Sequence, residues 1–405
     1  MSTLLAINNY HYLRGGAEGV FFEHNRLLAQ LGWDVVPFSM RHPKNLPTPW
    51  SEFFIDELEF GDDYSLLQKA QMAGKAIYSF EARRKLKGLL NKARPDVAHC
   101  HNIYHHLSPS ILHELRDHKV PTVMTLHDLK LACPAYKMLS RDEVCERCKG
   151  GHFFNLVQRR CMKDSLALSA VIWVETTLHN RLKTYLNCVD KFVVPSRFFL
   201  EKFTEWGFPR DRFVYIPNFI DAAAFVPEFH PGDYFLYFGR LNAEKGVDQF
   251  IRACAEAGVP GTIVGTGPEE QSLQQLAQSL SANIKFAGYQ TGTALQDYVR
   301  GARAVVLPSL LYENAPLSVM EATALGKPVL GARIGGIPEL ILEGVSGSVF
   351  ESGSVNALKD CIATWRDMDP ALIAENARKG REWMVKEYSS SRYRNEMQRL
   401  YNALF

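Results

Sequence analysis

Short β-rich runs alternate with helical stretches from one end of this 405-residue chain to the other, and that alternation limits the fold more than any other feature. Strands that each lead into a helix and return to the same sheet build parallel sheets covered by helices. In the first half the strand runs are Leu4–Ile7, Val35–Ser39, Val97–His101, Thr122–Leu126 and Lys191–Val194. In the second they are Phe235–Phe238, Thr262–Val264, Ile284–Phe286, Ala304–Leu307, Val329–Ala332 and Ser348–Phe350. Helical patterns such as Ala17–Leu31 and Asp248–Ala257 lie between them. The pattern predicts an α/β protein of two doubly wound domains facing a central cleft, the usual ligand position for such sheets.

The seam is readable. Ile216-Pro217-Asn218 ends a strand, and residues 219–233 bring Pro227, Pro231 and Gly232 with little periodicity, which is linker composition. The expected spans are 1–196 for the first domain, 197–233 for a connecting segment and linker, and 217–388 for the second domain. After Ser389-Ser390-Ser391, apolar Tyr393, Met397, Leu400 and Leu404 recur at helical spacing. Residues 389–405 therefore read as a helix packing back on the first domain.

Charge excludes some functions. Forty-six basic against 44 acidic residues leave a formal +2, which gives no whole-chain electrostatic case for nucleic acid. That total divides into +6 over residues 1–200 and −4 over residues 201–405. The longest nearly apolar run, Leu166–Val174, is nine residues. It is too short to span a bilayer, and the N-terminus lacks a secretion-signal pattern, so a cytoplasmic protein is expected. In that compartment Cys100, Cys188, Cys254 and Cys361 read as small core residues.

Several segments carry chemistry. Gly15-Gly16 lies between the first strand and a helix start, where backbone N–H groups can meet an anion. The pair lacks G-x-G-x-x-G spacing, and no acidic residue ends the next strand, so a dinucleotide fold is disfavoured. Phe238-Gly239-Arg240-Leu241 leaves a strand and Glu244-Lys245-Gly246 opens the next helix, placing two cations where they can converge on phosphates. Gly265-Thr266-Gly267 leaves room at a strand end for a base or ribose. In Glu313-Asn314-Ala315-Pro316-Leu317-Ser318-Val319-Met320-Glu321, Pro316 suits the first helical position and frees N–H groups around Leu317 and Ser318 for a phosphate. The two carboxylates suit sugar hydroxyls. The plainer reading is a loop acid and a first-turn acid.

Taken together and in order, these segments resemble the retaining nucleotide-sugar glycosyltransferases of the GT-B fold, family 4. The resemblance runs through Thr125-Leu126-His127-Asp128, Val194-Pro195-Ser196, Ile216-Pro217-Asn218, the Glu313–Glu321 segment, Ala324-Leu325-Gly326-Lys327-Pro328-Val329 and Gly335-Gly336-Ile337-Pro338-Glu339. It implies that the two domains are Rossmann-like and that Arg240 and Lys245 neutralise a donor diphosphate. Glu321 would hold the ribose, and Glu313 with the backbone after it would hold the transferred sugar. Gly15, Gly16, Gly265 and Gly267 would line the donor cleft, and His127 would contact the donor sugar. His99, His101, His105, His106 and His118 keep a structural reading, although His101 and Asn102 also end a strand facing the cleft. Pro316 stands where the family often has glycine and removes one backbone donor.

The implied reaction needs no divalent ion, and no Asp-x-Asp ends a strand. The donor would be a UDP- or GDP-sugar, and the acceptor a saccharide or a polyprenyl-linked oligosaccharide in cell-surface polysaccharide biosynthesis. A nucleotide-sugar epimerase of the same fold and a non-catalytic nucleotide-sugar-binding partner are the competing readings.

Two further features stand outside that resemblance. Cys133, Cys145, Cys148 and Cys161 give C-x11-C-x2-C-x12-C, close to a four-thiolate knuckle, and predict a structural zinc. The competing reading is four reduced thiols in a packed loop, and His152 could replace one ligand. Beyond them, Val171, Val174, Leu178, Leu182 and Tyr185 form one apolar helical face. Arg159, Arg160 and Lys163 lie beside it, and Arg83, Arg84, Lys85, Lys87, Lys92 and Arg94 crowd another helix. Such patterns suit peripheral contact with an anionic membrane on its inner face, or else a core stripe and a solvated face.

Overall fold

The structure is a computed structural model that describes residues 2–57, 65–141 and 143–404. Met1 and Phe405, the outer ends of the expected domain spans, lie outside the described residues. Strands run in chain order as β1 (Thr3–Ile7), β2 (Asp34–Phe38), β3 (Val97–Cys100), β4 (Thr122–Thr125), a small hairpin of β5 (Leu139–Ser140) and β6 (Glu143–Val144), β7 (Lys191–Val194) and β8 (Phe213–Tyr215). They continue as β9 (Tyr234–Phe238), β10 (Gly261–Val264), β11 (Ile284–Phe286), β12 (Ala302–Leu307), β13 (Val329–Ala332) and β14 (Gly347–Phe350). The eleven strand runs expected from sequence agree with these spans to within two residues.

Among the described residues two parallel sheets form, ordered β2-β1-β3-β4-β7-β8 and β11-β10-β9-β12-β13-β14. Their central strands are almost wholly buried. Helices cover both faces, so runs such as Val-Val-Leu in β12 need no polar alternation. Each sheet has its own apolar core. Chain reversal in strand order leaves a crevice at the C-terminal strand ends of each sheet.

The first sheet extends beyond the expected boundary at residue 196. Helix Arg197–Glu205 follows β7, and Phe213–Tyr215 pairs with β7 as its edge strand. The reason is packing: Phe199, Phe203 and Phe213 complete the first core. Residues 197–215 thus belong to the first unit instead of a connecting segment.

The chain crosses between the units twice. Ile220 N–H donates to Tyr388 O at 2.8 Å, and Ile220 bridges Ser389, so the two crossings lie side by side. Helix Ser390–Asn402 then packs on the first domain. Its Tyr393, Met397, Leu400 and Tyr401 are buried against Leu4, Phe21, Val97 and Val123.

Candidate active site

Loops leaving β9 and β12 build the second-domain wall of the cleft. Lys245 Nζ lies 2.6 Å from Glu313 Oε1, and Ser309 Oγ donates to the same oxygen at 2.8 Å. Two residues expected to act on different parts of a donor are therefore an ion pair. Arg240 is exposed, and its guanidinium has no ion-pair partner among the described residues. The Glu313–Asn314 turn is held by Gly335 and Gly336. A side chain at Gly335, φ +59°, would meet Glu313 O at 2.3 Å, and one at Gly336 would meet Asn314 O at 1.9 Å.

Helix Leu317–Ala324 starts one residue later than expected, with extended Pro316 (ψ 121°) as its N-cap. N–H groups of Leu317 and Ser318 fall in the first turn, where the helix itself leaves them unpaired. Glu321 is consequently in the second turn, so the first-turn reading of its charge is corrected. It is half-buried, and loss of solvent pushes its carboxyl up to about 7.

Gly265 and Gly267 also have a packing task. A Cβ on Gly265 would meet Gly239 O at 1.9 Å, and one on Gly267 would meet Leu241 O at 2.3 Å. Their missing side chains admit the Arg240 loop itself, which sets where that cation stands.

The first-domain wall comes from β1, β3 and β4. Gly15 caps helix Gly16–Gln30, but residues 8–15 separate it from β1, so the turn is not tight. A Cβ placed on Gly16 would lie 3.6 Å from Leu317 Cδ1, which brings the starts of two helices from opposite domains together. Asn314 Nδ2 donates to Leu126 O at 2.9 Å, and Ser196 Oγ donates to Asn314 Oδ1 at 2.8 Å. Asn314 is thus a cross-cleft strut, and its side chain is committed. Ala315 is buried and its carbonyl accepts from Asn218 Nδ2 at 3.0 Å. Through that strut, Leu126-His127 and Glu313-Asn314 face each other across the cleft.

His127 is half-buried, and its Nε2 lies 2.8 Å from His101 Nδ1. Burial lowers its pKa to about 4, so the ring is neutral. His101 and His99 are fully buried and also held well below the ordinary histidine value, burial being the first cause.

Further cross-domain ties had no local signal in the sequence. Lys137 Nζ meets Glu244 Oε1 at 2.6 Å, Tyr312 donates to Glu146 at 3.2 Å, and Glu339 accepts from the N–H groups of Arg197 and Phe198 at 2.8 and 2.7 Å. The motifs containing Glu244 and Glu339 were visible beforehand, but their partners across the cleft were not.

Cys133, Cys145, Cys148 and Cys161 gather around the hairpin, where Cys145 N–H donates to Met138 O at 2.8 Å. Burial pushes the Cys133 and Cys148 thiols up to about 11 and about 12, with neighbouring cysteines adding to the rise. A tetrahedral zinc at Zn–S of about 2.3 Å would need sulfurs roughly 3.8 Å apart. No three of these sulfurs lie within 4.8 Å of one another; among the described residues His24, His99 and His101 alone meet that limit. Cys133, Cys145 and Cys161 all act electrostatically on Cys148, so the four share one neighbourhood, and metal analysis of protein purified without chelator decides between a structural zinc and four reduced thiols. Cys361 is half-buried, unlike Cys100, Cys188 and Cys254.

The apolar stripe is split, with Val171 and Tyr185 packed against the first core. Helix Leu166–Arg181 buries Ser169, Ile172, Glu175 and His179, while Val174 and Leu182 are 42% and 47% exposed. The cause is a buried ion pair, Lys130 Nζ to Glu175 Oε2 at 2.9 Å, which turns the polar face inward. In the basic run, Arg83 pairs with Glu114 and Asp117, and Lys92 with Glu52. No helix of the described residues is long and apolar enough to cross a membrane.

Two doubly wound domains with this cleft define the GT-B class, and comparison with known proteins agrees. Residues 14–224 match the sequence family described as Glycosyltransferase Family 4, and residues 221–380 match the one described as Glycosyl transferases group 1. The chain belongs to this glycosyltransferase family, the first match alone covering just over half of it. Among curated relatives, an uncharacterized 42.6 kDa protein in the cps region of Klebsiella pneumoniae is 27% identical over 256 residues, 62% of this chain and 61% of that protein. An uncharacterized glycosyltransferase of Methanocaldococcus jannaschii is 25% identical, with 62% and 61% covered. The chain thus spans about 61% of the length of these relatives. Sucrose-phosphate synthase from Thermosynechococcus elongatus shares the fold at TM-score 0.75 and 20% identity, covering 100% and 99% of the two chains. Anabaena HepE, solved with UDP and glucose, does so at TM-score 0.64 and 17% identity over 100% of both.

Proposed function

We propose that the chain is a retaining glycosyltransferase that moves a sugar from a nucleotide-sugar donor to a saccharide or lipid-linked oligosaccharide in cell-surface polysaccharide biosynthesis. The observation that carries this reading is the cross-cleft strut from Asn314 to Leu126, which joins the neighbours in sequence of Glu313 and His127, with Lys245 paired to Glu313. Departure of a nucleoside diphosphate builds negative charge on the leaving oxygen, and preorganised cations and N–H groups stabilise it. Arg240, Lys245 and the first-turn N–H groups of Leu317 and Ser318 supply that role without a divalent ion. The donor is expected to displace Glu313 from Lys245, so that the diphosphate takes the ammonium and the freed carboxylate accepts sugar hydroxyls. Glu321 would accept from the ribose, and His127 would donate to the sugar. The leaving phosphate, held beside the acceptor hydroxyl, would take its proton, and the anomeric configuration is retained.

UDP is the favoured nucleotide because a neighbour of the same fold was solved with it. The cps-region relative supports a polysaccharide acceptor. The binding screen that tests this uses UDP-, GDP-, ADP- and TDP-sugars, followed by product analysis. Tight binding with slow donor hydrolysis supports the reading. Sugar isomerisation without an acceptor would replace it by an epimerase, and binding without any turnover by a non-catalytic partner.

A peripheral, inner-face membrane contact fits the exposed Phe154, Leu166, Val174 and Leu182 beside Arg159, Arg160 and Lys163. Liposome flotation with and without anionic lipid checks it, and equal partition in both would remove it.

A further inference from the structure

Beneath His127 lies a stack of histidines that the proposed chemistry does not use. His101 follows β3 and His127 follows β4, neighbouring strands paired through Cys100 and Met124. Their rings lie 5.1 Å apart at 24°. His101 in turn stacks on His99 at 4.7 Å, and the edge of Phe21 closes the other side at 5.2 Å. His99 is locked at both nitrogens, by the Tyr401 hydroxyl at 2.5 Å and Thr125 Oγ1 at 2.7 Å. His24 is locked likewise by Tyr393 and Tyr401, each at 3.0 Å.

His24, His99 and His101 satisfy the distance limit for a metal site. The Tyr401 hydroxyl, however, bridges His24 Nε2 and His99 Nδ1, and all four nitrogens of these two rings are in hydrogen bonds. Protons and hydroxyls account for the cluster.

One atom is left over: His101 Nε2 is buried without a hydrogen-bond partner. An orphaned buried N–H is rarer than an unfilled acceptor lone pair. The bare nitrogen is therefore Nε2, and the proton of neutral His101 sits on Nδ1. From there it donates to His127 Nε2, 2.8 Å away. A neutral His127 that accepts at Nε2 must carry its own proton on Nδ1.

We propose that His101 is a positioning residue that fixes His127 in its Nδ1–H tautomer, so that the ring presents an N–H donor to the ligand in the cleft. The catalytic consequence rests on the reading that His127 contacts the donor sugar; the tautomer does not. An orienting partner of this kind sets both the ring plane and the atom that carries the proton.

Long-range proton–nitrogen NMR on the full chain labelled with nitrogen-15 histidine, without ligand and at pH 7.5, tests the tautomer directly. The expected result is a protonated Nδ1 and bare Nε2 on both His101 and His127. His101→Phe keeps a ring but no hydrogen bond and should give His127 a mixed tautomer. His101→Asn, whose amide can donate from the Nδ1 position, should restore it. With the donor selected by the binding screen, His101→Phe should lower kcat at least about tenfold with little change in KM, and His101→Asn should recover most of it. A protonated Nε2 on His127 in the unsubstituted chain would overturn the proposal. So would an equal kcat loss from His101→Phe in a His127→Ala background. One equivalent of metal that copurifies and is lost in His101→Phe would also overturn it. Unchanged kcat in His127→Ala alone would instead sink the donor-sugar reading and leave the NMR result standing.

Discussion

On the second-domain wall of the cleft, Lys245 and Glu313 meet as an ion pair at 2.6 Å, with exposed Arg240 nearby in the fold. On the first-domain wall, His101 and His127 meet at 2.8 Å, and burial keeps both rings neutral. One wall holds formal charge ready for an anion; the other offers hydrogen bonds from rings that have shed their charge. The difference suits a reaction in which negative charge collects at one end of the donor while the sugar needs only polar contacts. It also predicts that the two walls respond in opposite directions to acid.

The largest expected effect is on stability. His24 is held at about 3 and His127 at about 4, and His99 and His101 are depressed too, all by burial. Their folded pKa values lie below the unfolded value of about 6.5, so the unfolded chain takes up protons first. Stability is full above about pH 6.5 and falls as pH drops towards 4, by up to about 1.4 kcal/mol per ring and pH unit. Glu321, raised to about 7, has the reverse sign and favours the fold as pH falls through that value. Urea unfolding at pH 7.5, 6 and 5 should therefore show the first domain weakening by several kcal/mol while the second holds. Equal loss in both would break the contrast.

Next comes the clamp. Tyr401→Phe removes the hydroxyl shared by His24 and His99 and leaves two buried nitrogens unpaired, a loss of about 2–4 kcal/mol. A shift under about 0.5 kcal/mol would show that water fills the gap. On the charged wall, Lys245→Ala and Glu321→Gln should each slow transfer at least about tenfold, roughly 1.4 kcal/mol of barrier, with the fold intact. Wild-type turnover in both purified variants would reject the site. The smallest effect is on affinity. If ionised Glu321 accepts from the ribose, nucleotide binding should tighten up to about tenfold from pH 6 to 8, as the carboxyl ionises around 7. Subtracting the same titration in Glu321→Gln removes the phosphate's own ionisation, and an identical pH dependence in both proteins would exclude the contact.

The two walls also differ in how far they could be read in advance. Arg240, Lys245, Glu313 and Glu321 sit in short motifs at the ends of predictable strands, so local spacing pointed to them. The strand runs were legible because buried parallel strands are short apolar blocks bounded by turns. The first wall is assembled from positions 24, 99, 101, 125, 127, 393 and 401. No window contains them all: His127 stood out through the Thr125-Leu126-His127-Asp128 motif, whereas His24 and His99 alone look like core residues. The helix after Leu166 misled for a related reason. Its apolar stripe follows the rule for a buried face, but Lys130 is its polar partner and comes 45 residues before Glu175. Likewise, cysteine spacing allows a zinc sphere, but only the fold brings Cys133, Cys145 and Cys161 beside Cys148. Linker composition marked residues 219–233, yet β8 before them belongs to the first sheet, where Phe199, Phe203 and Phe213 complete the core.

Helix Ser390–Asn402, which lends Tyr393 and Tyr401 to the histidine stack, is synthesised only after the whole second domain. Domains fold largely as units during synthesis, N-terminal first. Here the half that emerges first is finished last, because its buried His24 and His99 wait for the hydroxyls of Tyr393 and Tyr401. During that interval the nascent first domain holds rings whose neutral state nothing yet secures, while the nucleotide-binding half can already close its own core. Vectorial synthesis thus gives the two walls different histories as well as different chemistries.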